Sequence, residues 1–195
     1  MTGEKTLPPT AYAILGMLAF DDGLTAYEVK RRADRSLAFF YWSPAMSAVY
    51  TELERLASLG YAQYEAVAET ELRAKRVYSI TEAGQEALRS WVAEGEWEPN
   101  QLKHFTALRI FNGHVTGPEP LIEQAERHAE WARERYETLL DVQQGAEERL
   151  RNGDPSRQYP LLVIEWGLDY YDLERQAAER LARRLRKLAY GDDAE

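Results

Sequence analysis

Residues 41–61, YWSPAMSAVYTELERLASLGY, constrain the fold more than any other stretch of this chain. Ser43 followed by Pro44 reads as a helix N-cap and first helical residue, because proline lacks an N–H that would be unpaired there anyway. Val49, Leu53 and Leu56 recur at spacings of four and three, the period of one buried helical face. Gly60 can take the left-handed conformation that ends a helix, so the chain turns after Leu59. The opposite face of the first two turns carries Ser47, Tyr50 and Thr51, where a merely solvated helix would show Lys and Glu. Glu52 and Glu54 enter only afterwards.

The surrounding segments place this helix in a larger pattern. Residues 61–67, YAQYEAV, and 75–81, KRVYSIT, are rich in aromatic and β-branched residues, and the polar AETELRA between them reads as the connection of a hairpin. Upstream, PTAYAILGMLAF forms an apolar helix closed by Asp21-Asp22-Gly23. Leu24 and Thr25 then open AYEVKRRADRSLAFF, with Tyr27, Val29 and Ala33 on a modest apolar face. Thr81 caps a further helix, EAGQEALRSWVAE. The order helix, helix, helix, strand, strand, helix is that of a winged helix-turn-helix with one helix appended, assigned to residues 7–95.

Residues 96–190 read as helical throughout. NQLKHFTALRIF is a short helix stopped by Asn112-Gly113. A long helix from about Leu121 to Leu150 sets Leu121, Ala125, His128, Ala132, Tyr136 and Leu139 on one face. After RNGDPSRQYP, a last helix to about Leu188 aligns Trp166, Tyr170, Leu173, Ala177, Leu181, Leu185 and Leu188. Two such helices have little to bury between them alone and call for the first domain or a second copy as partner. The fold class is therefore mainly α with a small β-hairpin wing, a winged helix-turn-helix followed by an α-helical dimerisation domain. Leu121, Ala125, Tyr136, Leu139, Trp166, Tyr170, Leu173 and Leu181 are its expected interface.

Composition narrows the function. A hydrophobic share of 45% supports a true core. The absence of cysteine excludes disulfides and thiol chemistry and fits a reducing compartment. No apolar run nears the roughly 20 residues of a membrane span, and the N-terminus lacks a signal-peptide core, so a cytoplasmic protein is expected. No Gly-rich phosphate loop, Gly-x-Ser-x-Gly or His-Glu-x-x-His occurs, which argues against an enzyme and calls for no cofactor. His104 and His114 lie ten apart in different elements and give no compact ligand pair, and His128 on its stripe reads as a buried, satisfied histidine; no metal site is expected.

The net charge of −9 argues against indiscriminate binding to a polyanion, yet its distribution is uneven. Residues 1–95 hold 10 Lys and Arg against 13 Asp and Glu, a net of −3, and the remainder 14 against 20, a net of −6. Within the first half, Lys30, Arg31, Arg32 and Arg35 form one basic group and Arg73, Lys75 and Arg76 another. In a helix-turn-helix the second helix enters the major groove and presents its N-terminal residues to base edges. Ser43, Ser47, Tyr50 and Thr51 can do so without the repulsion of carboxylates, while Arg73, Lys75 and Arg76 would follow the sugar-phosphate backbone. The bland readings are a solvated face for Lys30 to Arg35, packing of Tyr50 on the hairpin, and a winged helix that binds only proteins.

The segments ILGMLAF…GLTAYEVKRRAD, WSPAMSAVYTELERLASLGY and RVYSITEAGQEALRSWV, in this order and spacing, resemble the PadR family of transcriptional regulators over roughly residues 10–93. The helical remainder is more loosely similar to the C-terminal domain of the family's longer members. The resemblance implies a homodimeric winged-helix repressor on a palindromic double-stranded operator; with the winged-helix order in place, Tyr27, Lys30 and Arg31 are expected among the DNA contacts. It also implies, for some members, release by a small aromatic ligand. Here that ligand would sit at the dimer interface where the C-terminal helices meet the winged helix, among Trp97, Phe105, Trp166 and Tyr170, unless these residues are core and interface only. The chain departs from the pattern at Thr25-Ala26-Tyr27, where the family often has His-Gly-Tyr, and at Thr51, where proline is frequent. Glu69 and Glu71 replace the usual Gly/Pro-rich wing tip.

Overall fold

Alternation and helical period divide the chain into the elements of two compact units, Met1–Glu98 and Pro99–Glu195. The computed structural model describes residues 7–21, 23–70, 73–97 and 99–191, and the side chains at 69, 70, 73 and 74 lie outside that description. So do Asp22, Glu71 and Leu72, which the sequence places in a helix stop and a wing tip.

The first unit begins with α1 (Pro9–Ala19), whose Ile14, Leu15 and Leu18 are fully buried. Next come β1 (Leu24–Thr25) and α2 (Ala26–Arg35). Thr25 caps α2 reciprocally: the Glu28 N–H donates to Thr25 Oγ1 at 3.3 Å, and the Thr25 N–H donates to Glu28 Oε2 at 2.8 Å. These bonds from the Thr25 backbone and hydroxyl hold the Glu28 carboxyl below its ordinary pKa. A 3-10 turn, Leu37–Phe39, leads towards α3 (Met46–Ser58).

The start of α3 corrects the sequence reading. Ala45, extended at ψ 154°, occupies the cap position and supplies no side-chain acceptor, so Ser43 is not the N-cap and Pro44 is not the first helical residue. The reason is packing: Pro44 is fully buried, and the helix begins only after that ring is seated. The far end behaves as its sequence suggests, with Gly60 at φ +77° just beyond the helix. Val49, Leu53 and Leu56 are completely buried against α1 and α2.

The wing is longer than its composition suggests. β2 (Ala62–Thr70) pairs antiparallel with β3 (Arg73–Ile80), so most of the expected polar connection is strand, with an irregularity at Ala68 and Thr70. β3 is the central strand, because β1 pairs with its other edge through Leu24 opposite Tyr78. That strand was not visible in the sequence, where Leu24 and Thr25 read only as a helix opening. α4 (Glu82–Glu94) follows, its Gly84 N–H donating to Thr81 Oγ1 at 3.1 Å, and Trp91 stacks on Tyr12 of α1 at 4.6 Å.

The second unit consists of α5 (Phe105–Phe111), α6 (Glu119–Arg151) and α7 (Gln158–Tyr190). α5 starts later than Asn100, with His104 as its cap: the Ala107 N–H donates to His104 Nδ1 at 3.1 Å. α6 and α7, each about 50 Å long at 1.5 Å per residue, run against one another. Contrary to the expectation that they bury little alone, α6 contributes Leu121, Ile122, Ala125, Ala129, Ala132 and Leu139 to buried positions. α7 contributes Leu161, Ile164, Gly167, Leu168, Tyr171, Ala178, Ala182 and Leu185. Among the described residues, no helix is long and apolar enough to cross a membrane.

Glycine substitutions should separate open from crowded backbone. Gly16→Ala in α1 meets nothing within 4 Å and should raise stability by about 0.5–1 kcal/mol, the usual gain of alanine in a helix. Gly84→Ala should do the opposite, because its Cβ would fall 2.0 Å from the Tyr61 carbonyl oxygen, which already accepts from the Thr81 N–H. Urea unfolding of the two variants should shift the midpoint in opposite directions.

Candidate nucleic-acid interface

The buried stripe of α3 decides what its other side presents. With Val49, Leu53 and Leu56 turned inward, Ser47, Tyr50, Thr51 and Glu54 lie on the outer face, and Tyr50 is 50% exposed. The first turn carries no acidic residue, and no side chain caps its N-terminal amides. Thr51 Oγ1 donates to the Ser47 carbonyl at 3.0 Å, which commits its only proton. Towards an approaching ligand Thr51 therefore offers an acceptor oxygen and a methyl group, whereas Ser47 retains a hydroxyl that can donate or accept.

Ser43 has a different place from the one the sequence suggests. Its hydroxyl donates to Asp34 Oδ1 at 2.6 Å and accepts from Lys30 Nζ at 3.2 Å, and Lys30 is also ion-paired with Asp34. The hydrogen bonds from Lys30 and Ser43 hold the Asp34 carboxyl below its ordinary pKa. Ser43 and Lys30 thus tie the end of α2 to the segment leading into α3, and this tie positions the outer face.

The other basic residues divide into paired and unpaired. Arg32 is ion-paired with Asp21. Arg76 lies 3.3 Å from Glu54 and sits over the Tyr64 ring at 4.6 Å, and a hydrogen bond with Tyr78 raises its pKa further. Arg31, Arg35 and Lys75 are exposed and, among the described residues, make no ion pair; Tyr27 is exposed on α2, one turn before Arg31. Arg35 and Tyr64 were not singled out as contact residues by the sequence. Arg35 belongs to a basic group that was legible, but the Tyr64–Arg76 stack depends on a pairing register that no local pattern reveals. The side chains of Arg73 and Glu69 lie outside the described residues.

In the second unit, the expected interface residues part into two groups. Leu121, Ala125 and Leu139 are buried within the chain's own α6–α7 packing and have no surface left for a second copy, so the sequence assignment is corrected there. Trp166 is 51% and Leu173 61% exposed, and Tyr136, Tyr170 and Leu181 are half-buried. Trp166 stacks on Tyr170 with centroids 5.7 Å apart and planes within 14°. Phe105 is exposed in the same unit, and Trp97, 86% exposed, belongs to the first.

Three histidine and glutamate side chains meet where the sequence showed no ligand pair. His128 Nε2 lies 2.8 Å and His104 Nε2 3.2 Å from Glu174 Oε2. Burial pushes the Glu174 carboxyl up, but the hydrogen bonds and charge of the two imidazoles outweigh it and leave the group below its ordinary pKa. His104 does not pair with His114; it reaches His128 across the turn of α5 and the start of α6.

Comparison with known proteins agrees with this architecture unit by unit. Residues 10–90 match the family model described as the transcriptional regulator PadR-like family, and residues 102–186 match that of the virulence activator alpha C-terminal domain. The negative transcriptional regulator PadR of Bacillus subtilis is 24% identical over 144 residues, covering 74% of this chain and 76% of its own. The crystal structure of B. subtilis PadR in complex with operator DNA superposes with a TM-score of 0.76 at 20% identity, over 91% of this chain and 99% of that one. The same protein in complex with p-coumaric acid gives 0.67 at 21% identity, over 90% and 98%. The PadR-like model thus falls on the winged unit and the virulence-activator C-terminal model on the helical unit behind it, and together they span most of the chain.

Proposed function

We propose that this protein is a homodimeric repressor that binds a palindromic operator through α3 and is released by a planar aromatic effector. The observation that carries the reading is the outer face of α3: hydroxyls and Tyr50 over its first two turns, no carboxylate before Glu52, and exposed cations on α2 and β3 to either side. B. subtilis PadR, with the same fold, is known bound to operator DNA. On this reading Ser47, Tyr50 and Thr51 face base edges in the major groove, and Arg31, Lys75 and Arg76 meet phosphates. Thr51, with its proton committed, favours a position where its methyl packs on a thymine and its oxygen accepts from an amino group. A winged helix that recognises only proteins would show no DNA affinity even at low salt.

Selection from a random duplex pool should enrich one palindrome, and its affinity should fall steeply with salt as counterions are released. Arg76→Ala should weaken all sequences by a similar factor and lower the salt slope by about 0.9, the share of one phosphate contact. Ser47→Ala and Thr51→Val should instead change the preferred base, with about 1–3 kcal/mol of discrimination at stake. A pool that yields no enriched sequence would overturn the reading.

Assembly follows from the apolar face that α7 leaves exposed, with Leu162, Trp166 and Leu173 along one side. Two copies joined there in two-fold symmetry would hold the α3 helices about 34 Å apart, one turn of duplex. Light scattering should give twice the 22.4 kDa chain mass, and Leu173→Asp should return it to the monomer value without unfolding the helices.

The stacked pair Trp166–Tyr170 supports the effector, since a flat ring can extend an existing stack. Phenolic acids should quench tryptophan fluorescence and lower operator affinity by the factor by which operator lowers theirs. A ligand that quenches fluorescence and leaves operator affinity unchanged would remove the effector from the proposal.

A further inference from the structure

We propose that His104, His128 and Glu174 form a binding site for a single divalent transition-metal ion of the zinc class. One ring nitrogen of each histidine and one carboxylate oxygen of the glutamate all lie within 4.8 Å of one another, and on both rings Nε2 is the nitrogen that meets Glu174. The distances of 3.2 and 2.8 Å to Glu174 Oε2 are close to the edge of a tetrahedron, about 3.4 Å for donors roughly 2.1 Å from a common ion. Two imidazoles and a carboxylate suit zinc; a hard ion such as Mg2+ or Ca2+ would require more oxygens, and a soft one would require sulfur.

The surroundings fit a ligand site as well as the donors do. The three residues come from the segment before α5, from α6 and from α7, and the α6–α7 seam fixes two of them. Trp131 stacks on His128 at 5.3 Å, and Tyr170 hydrogen-bonds to Glu174, so both ligand side chains are oriented from behind. About a fifth of each of the three side chains is exposed, which leaves a path for water to a fourth coordination position.

The present hydrogen bonds also define what the ion must change. Without it, both Nε2 atoms turn to the same acceptor oxygen and therefore carry their ring protons there. At His104 the same tautomer is held by the Ala107 N–H donating to Nδ1. A bound cation takes both Nε2 lone pairs, so each neutral ring keeps its single proton but carries it on Nδ1, exchanged through water. At His104 that proton would face the Ala107 N–H, and the two donors cannot share the contact. Occupancy of the site therefore releases the cap of α5.

Chelator-treated full-length protein titrated with Zn2+ in a calorimeter should show one site per chain, and Co2+ should give the visible bands of a tetrahedral ion. His128→Gln and Glu174→Gln should each weaken binding roughly tenfold or more, whereas His114→Gln should leave it unchanged. Hydrogen exchange at the Ala107 amide should quicken on saturation with Zn2+ while the α6–α7 seam becomes better protected. Absence of both the calorimetric site and the cobalt bands in the unmodified chain would overturn the proposal, as would full affinity in both ligand variants. Unchanged protection at Ala107 under saturation would overturn the assignment of His104 Nε2 as a donor atom.

Discussion

Three side chains fix the rotation of α3 about its own axis. Val49, Leu53 and Leu56 are wholly buried, and each contributes about 1.5–3 kcal/mol by leaving water. Turning the helix by one residue, about 100°, would bring Leu53 towards solvent and Glu54 towards the core, so the arrangement is strongly held. The outer face is consequently as well defined as the inner one. The sheet extends this determinacy to the cations. Tyr78 is buried on central β3, Tyr64 lies opposite it on β2, and Arg76, two residues from Tyr78, falls on the same face over the Tyr64 ring.

A different constraint shapes the second unit. Its seam mixes the small residues Ala125, Ala129, Ala132, Ala178, Ala182 and Gly167 with bulky ones such as Leu121, Leu139, Leu168 and Leu185, and the small residues let the two helix backbones approach closely. At Gly167 a Cβ would come within 2.7 Å of Leu139 Cδ2. Trp166, Leu162 and Leu173 lie outside this seam and remain exposed. These large apolar residues occupy a side of α7 that its own packing does not cover, and this is the physical basis for proposing a second copy there.

The winged order of elements, the stop at Gly60 and the cap at Thr81 were legible in the sequence because each depends on residues within one or two turns of one another. The start of α3 was not, since Ser43-Pro44 carries a helix-start pattern that the burial of Pro44 overrides. β1 escaped because two residues have no period, and its identity depends on Leu24 meeting Tyr78 far along the chain. On α7 the expected stripe shares only Leu185 with the observed seam: a helix with apolar residues on two sides gives a period but not which side faces inward. His104, His128 and Glu174 escaped for the same reason of distance, as a pair search within elements cannot join a loop, α6 and α7. In the candidate interface the residue types were legible, but their internal partners Asp34 and Glu54 were not.

Those partners bear on how an acidic chain can recognise a polyanion. Lys30 is paired with Asp34 and Arg76 with Glu54, so in the proposed complex a phosphate that meets Arg76 must replace a carboxylate that already neutralises the cation. Nonspecific duplex offers phosphates and little else, and its gain at these positions is reduced to the difference between two similar ion pairs. In the proposed complex an operator would add base-edge contacts to Ser47, to Tyr50 and to the methyl group and acceptor oxygen of Thr51, none of which has an ion pair to give up. Arg31, Arg35 and Lys75 still supply long-range attraction, with the net charge of −9 acting against it. Internal pairing therefore lowers affinity for all sequences together while leaving base discrimination intact: the ratio of specific to nonspecific binding is kept, and the absolute hold on nonspecific duplex falls.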